Sequence, residues 1–123
     1  MELEYASEKV KLQCTSVKAA NKLFGGNVAL THSLLARINA LERAENIKDI
    51  IVQPVFRFHG LKNKKGRNLD GYFAIDVKTI RDSWRIILQP LNENKEPYNP
   101  CNIDEISNKV KIVEIEEVSK HYE

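Results

Sequence analysis

The stretch "FRFHGLKNKKGR", residues 56–67, holds Arg57, Lys62, Lys64, Lys65 and Arg67 together with His59, and no acid. Such a run is either a solvated turn, which its Asn and Gly residues suit, or a place where an anion lies. Cations aimed at a phosphate are what phosphoryl transfer requires, because its transition state spreads negative charge over several oxygens. A histidine among them can move the proton, since imidazole exchanges protons near neutral pH. Arg85 raises a related question. It lies in "SWRIILQ", between Trp84 and Ile86, with the apolar Ile87 two places along on its own face. A guanidinium there is either paired with a carboxylate, such as Asp76, or turned toward an external anion.

Other chemistry has little support. The chain has no P-loop, GxGxxG, HExxH or GxSxG pattern, which removes the usual signatures of nucleotide hydrolysis, dinucleotide redox chemistry and zinc proteolysis. Cys14 and Cys101 stand alone without CxxC spacing, so they read as two free thiols and not as metal ligands. No metal or cofactor is expected. His32 falls off the apolar stripe of its helix and reads as a surface residue.

The elements that must position these residues follow from periodicity. "VALTHSLLARINALERA" places Leu30, Leu34, Ile38 and Leu41 on one helical face, with Asn27 as N-cap and Gly25-Gly26 separating an earlier helix around "SVKAANKLF". A short strand is expected near "ELEYA". In "YFAIDVK", Phe73, Ile75 and Val77 alternate with Ala74, Asp76 and Lys78, which predicts a strand with one buried face. "SWRIILQ" alternates likewise, and the short "TIRD" between the two predicts an antiparallel hairpin. "KVKIVEIEE" has apolar residues on both parities, which predicts either burial on both faces or a bulge. "PLNENKEPYNPCNID" reads as a loop. Helices followed by an antiparallel sheet make an α+β pattern.

Length and charge set the bounds. A chain of 123 residues, 42% hydrophobic and 29% charged, is suited to one domain over residues 1–123. The start "MELEYASEK" lacks the features of a signal peptide and no apolar run reaches membrane length, so a cytosolic location without membrane contact is expected. The net charge of +2 says little about partners. Residues 104–123, however, carry an acidic excess, so an anion site belongs in the middle of the chain.

"FHGLK", "GYFAIDV" and "SWRIIL", in that order, resemble the core of the HigB toxins, members of the RelE superfamily of ribosome-dependent mRNA interferases. The matching positions are His59, Leu61 and Lys62, then Gly71 and Tyr72, then Trp84 and Arg85, with His121 and Tyr122 of "SKHYE" at the end of the last strand. The resemblance spans residues 27–122. It implies a RelE-like fold, N-terminal helices on a small curved antiparallel sheet, and metal-independent cleavage of mRNA in the ribosomal A site. In that reaction a ribose 2′-hydroxyl attacks the adjacent phosphate. His59 or His121 would transfer protons, Arg85 would hold the phosphate, Tyr122 would stack or position its neighbours, and Arg57, Lys62, Lys64, Lys65 and Arg67 would bind RNA. The implied partners are the ribosome, mRNA and a HigA-like helix-turn-helix antitoxin that forms an oligomer with the toxin. Three departures stand out: "NKKGRNLD" lengthens a short turn, His121 and Tyr122 stand in reversed order, and Ala74 and Asp76 replace lysines of other RelE members. The last leaves the histidine route. The alternative on the same fold is a non-enzymatic, ParE-like inhibitor of DNA gyrase; a decayed or purely RNA-binding relative is the third.

Overall fold

Asn27 opens the longest helix, its Oδ1 accepting the Leu30 N–H at 3.1 Å, and the helix runs Val28–Arg43. Leu30, Leu34, Ile38 and Leu41 are all buried along it, as their spacing requires, and each such side chain contributes roughly 1.5–3 kcal/mol when fully removed from water. His32 is exposed. The structure is a computed structural model and describes residues 1–63 and 66–120. Before that helix, α3, come β1 (Glu2–Tyr5), α1 (Glu8–Thr15) and α2 (Val17–Leu23). Helix α1 has no counterpart in the sequence reading. Ser7 and Ser16 cap α1 and α2 through their side chains, so a single serine separates the two helices. Gly25 and Gly26, at φ +61° and +86°, then turn the chain into α3, a backbone region that costs glycine little.

After α3 follow α4 (Lys48–Ile51), a 3₁₀ turn at Pro54–Phe56, β2 (His59–Gly60), β3 (Phe73–Asp76), a second 3₁₀ turn at Ile80–Asp82, β4 (Arg85–Leu91), α5 (Ile103–Ile106) and β5 (Ile112–Ser119). The five strands form one sheet in the order β1-β5-β4-β3-β2. The expected α+β class is observed, and β3 and β4 are antiparallel neighbours as the hairpin predicts. The sheet is mixed, not purely antiparallel, because β1 pairs parallel with β5. The segment read as one loop also holds more order. Strand β4 runs on through Pro90 to Leu91, and α5 begins at Ile103. Pro90 is tolerated because β3 pairing ends at Leu88, leaving β5 as its partner strand.

The two faces of the sheet differ. Phe73, Ile75, Ile86, Leu88, Val113, Ile115 and Val118 join the helix residues in the core. The opposite face presents His59 on β2, Ala74 and Asp76 on β3, Arg85 and Ile87 on β4, and Glu117 and Ser119 on β5, as the pairing register dictates. Here the expectation of a single buried face on β3 is corrected. All four residues of β3 are buried, because Asp76 has ionic partners that let it leave water. The mixed parity of β5 comes from a bulge: Ile115 lies opposite Leu88 and Glu117 opposite Ile87, so Glu116 is the extra residue. Among the described residues no helix is long and apolar enough to cross a membrane.

Candidate functional site

Arg57 ends the turn at Pro54–Phe56 in the left-handed region, at φ 47° and ψ 50°, with its N–H donating to the Pro54 carbonyl at 3.0 Å. An arginine in that region stores backbone strain that the surroundings must hold. What holds it is Asp76. The Arg57 Nε donates to both carboxylate oxygens, at 3.1 and 3.0 Å, and Nη2 lies 2.9 Å from Oδ1. This forked geometry is the strong form of the arginine–carboxylate contact.

Arg85 approaches the same carboxylate from β4. Register places Arg85 directly opposite Asp76, and its Nε lies 3.2 Å from Oδ1. Its two terminal nitrogens donate to backbone oxygens of the hairpin connection: Trp84 at 2.8 Å, Ile80 at 3.1 Å and Thr79 at 3.3 Å. Only 2% of Arg85 is exposed. Of the two sequence readings of Arg85, the structure therefore shows the ion pair with Asp76. A third arginine, Arg37 of α3, donates from Nε to the Asp76 backbone carbonyl at 3.1 Å and stacks over the Phe56 ring at 4.9 Å. Burial pulls its pKa down, against the upward pull of Asp76. Two guanidiniums thus share one buried carboxylate, and Arg57, about a third exposed, is the one that reaches solvent.

His59 stands beside this cluster. It pairs with Ala74, two residues before Asp76 on the same face of β3. Its Nδ1 is 2.7 Å from the Arg57 carbonyl, and a carbonyl can only accept, so Nδ1 carries the hydrogen. In the neutral ring Nε2 is then the nitrogen with the lone pair, which is the form a general base needs.

The structure therefore brings together His59, Arg57 and Arg85. Lys62 and Arg67 are exposed on the segment between β2 and β3. Lys64, Lys65, His121 and Tyr122 lie outside the described residues. Sequence reasoning missed that Arg57 is paired, that Arg37 reaches the site from a helix, and that Ser119 and Glu117 face Arg85 and Ile87 across β4 and β5. One signal was available: a charged Asp76 inside an apolar strand demands cations. No group of three potential metal ligands occurs among the described residues. Compared with protein-family models, curated proteins and solved structures, the chain matches none.

Proposed function

We propose that this chain is the toxin of a type II toxin–antitoxin pair, a HigB-like, metal-independent endoribonuclease acting on mRNA in the ribosome. The supporting observation is His59, anchored through Nδ1 at 2.7 Å on the Arg57 carbonyl, beside two arginines that meet at the Asp76 carboxylate. The three sequence elements of the resemblance also form β2, β3 and β4, consecutive neighbours in one sheet. Nε2 of His59 takes the proton of the ribose 2′-hydroxyl, whose oxygen bonds to phosphorus as the bond to the 5′-oxygen breaks. The products are a 2′,3′-cyclic phosphate and a 5′-hydroxyl. The partly exposed Arg57 guanidinium stabilises the charge that builds on the phosphoryl oxygens. The second proton, to the 5′-oxygen, is assigned to His121. The chain works in the cytosol and is neutralised by a HigA-like antitoxin.

The test is cleavage of mRNA on programmed ribosomes, with the 5′ ends mapped. His59→Gln should lower the cleavage rate by about 10²–10⁴, the usual worth of general acid–base help. Cleavage at the wild-type rate would remove His59 from the chemistry.

One observation favours the non-enzymatic, ParE-like reading. Arg85 is buried, ion-paired with Asp76 and hydrogen-bonded to three backbone carbonyls, so the residue that resemblance makes a phosphate ligand is occupied with structure. On that reading the purified chain inhibits gyrase supercoiling and leaves ribosome-bound mRNA intact.

A further inference from the structure

A second feature adjoins His59. A cleft of about 550 Å³ runs between the 61–72 segment and the 91–101 loop, within the roughly 300–1,000 Å³ of pockets that hold small molecules. Gly60, the residue after His59, lines it. Its chemistry differs from that of the arginine cluster. Among the described residues no lysine, arginine or histidine lines it, whereas Tyr72, Tyr98, Asn68, Gln89 and Asn99 do. Phenol rings offer stacking faces, and side-chain amides offer a donor and an acceptor on one group.

The walls are built in advance. On one side the Leu61 N–H donates to Tyr72 at 3.1 Å and the Leu69 N–H to Asn63 Oδ1 at 2.7 Å. On the other, Asn92 and Glu96 close a turn at 2.8 Å, and Lys95 within it reaches Glu2 at 2.9 Å and Glu4 at 3.5 Å on β1. The walls meet where Gly71, at φ +83°, faces Cys101; a Cβ there would lie 3.6 Å from the cysteine's.

We propose that this cleft receives one unpaired nucleobase of the RNA whose phosphate lies at His59 and Arg57, an inference that rests on the RNA-cleaving reading. A base has a π-face for Tyr72 or Tyr98 and a mixed donor–acceptor edge for the amides. It is uncharged, as suits a pocket whose described lining holds no cation and one acid, Asp70, and in a single strand it lies next to its own phosphate. The 91–101 loop is thus a substrate-reading element.

The test uses 2′-deoxy trinucleotides, which lack the attacking hydroxyl, and the same molecules made abasic at one position. Binding is followed by NMR on the full chain, at the amides of Gly60, Gly71 and Asn99 for the cleft and of Arg57 and His59 for the cluster. The intact oligonucleotide should shift both sets. One abasic counterpart should shift only Arg57 and His59 and bind about tenfold more weakly, as expected for the loss of one stacked base. Gly60→Val should give the same loss for the intact oligonucleotide and none for the abasic one. A Cβ at Gly60 would sit 3.7 Å from the ring of Phe73, ordinary contact with a residue that also lines the cleft, and the backbone there is outside the left-handed region, so the position accepts a side chain at the cleft wall. Asn99→Ala, at an exposed position, is the second variant and should also weaken the intact oligonucleotide. Unmoved cleft amides, or equal binding of intact and every abasic oligonucleotide, would overturn the assignment even if ribosomes are cleaved. Cleft shifts with no cleavage of programmed ribosomes would uphold the base site and remove the nuclease reading instead.

Discussion

Asp76 holds three arginines by two different groups: its carboxylate takes Arg57 and Arg85, and its carbonyl takes Arg37. The two ionic partners are not equivalent. Arg57 is about a third exposed, so water screens much of its attraction, whereas Arg85 is almost wholly out of water. Removing Arg85 leaves the carboxylate buried with one partner fewer and strips three backbone carbonyls of their donor. Arg85→Ala should therefore lower unfolding stability by about 3–5 kcal/mol, read from urea denaturation. Arg57→Ala should cost clearly less. If Arg85→Ala denatures at the wild-type midpoint, the buried pair contributes nothing net and Arg85 returns to the phosphate role that resemblance implies.

Helix α3 was legible because periodicity and an N-cap are local properties; Asn27 and the four stripe residues are enough to read it. Strand β3 was half legible. Ala74 and Asp76 look like solvent-facing positions to any reading by alternation; both are buried, and Asp76 can be because cations from residues 57 and 85 arrive from other elements. The Arg85–Asp76 pair was legible as one of two alternatives, and the register decides it; Arg57, which comes from a turn, was not legible at all. Strand β5 gave a choice that only geometry resolves, and Glu116 resolves it as a bulge. That bulge makes two one-residue deletions unequal. Deleting Glu116 leaves Ile115 opposite Leu88 and Glu117 opposite Ile87, so the ladder becomes regular and the core residues keep their face. Deleting Glu114 forces a slip that turns Ile112 and Val113 to the wrong sides. The first variant should melt cooperatively and the second should fail to fold, as judged by near-ultraviolet circular dichroism on heating. Equal behaviour of the two would show that the bulge, not the alternation, sets this strand's register.

Across the whole molecule, the two ends of the sheet carry different clusters. Arg85 on the central β4 and His59 on β2 flank Asp76 of β3, while Glu2, Glu4 and Glu114 occupy the β1–β5 side, where Lys95 reaches Glu2 and Glu4. Burial, and then the nearby Glu116 and Glu4 carboxylates, raise the Glu114 pKa above its ordinary 4.5. A carboxyl with a raised folded pKa binds its proton more tightly in the native state, so its cost is absent below the ordinary value and grows as pH rises through it. Glu114→Gln should accordingly raise the melting temperature at pH 7 and give no gain below about pH 4, where the wild-type carboxyl is protonated in both states. A gain that persists in acid would assign the effect to packing. At the other side, the triple change of Lys62, Lys64 and Lys65 to alanine should weaken ribosome binding and flatten its dependence on salt, since each phosphate contact releases counterions. An unchanged slope would make the basic segment a solvated turn.

The position of β5 has a consequence for how the chain is made. Of the five strands in this sheet it is made last, yet it sits between β1 and β4, pairing Glu2 with Ile112 on one side and Arg85 with Ser119 on the other. Until it emerges, β1 has no partner strand, and the helices α1 to α3 have only part of their sheet to pack against. Synthesis at about 5–20 residues per second keeps the unfinished chain in that state for several seconds. The sheet is thus completed in one late step, in which β1 and β4 are joined through β5.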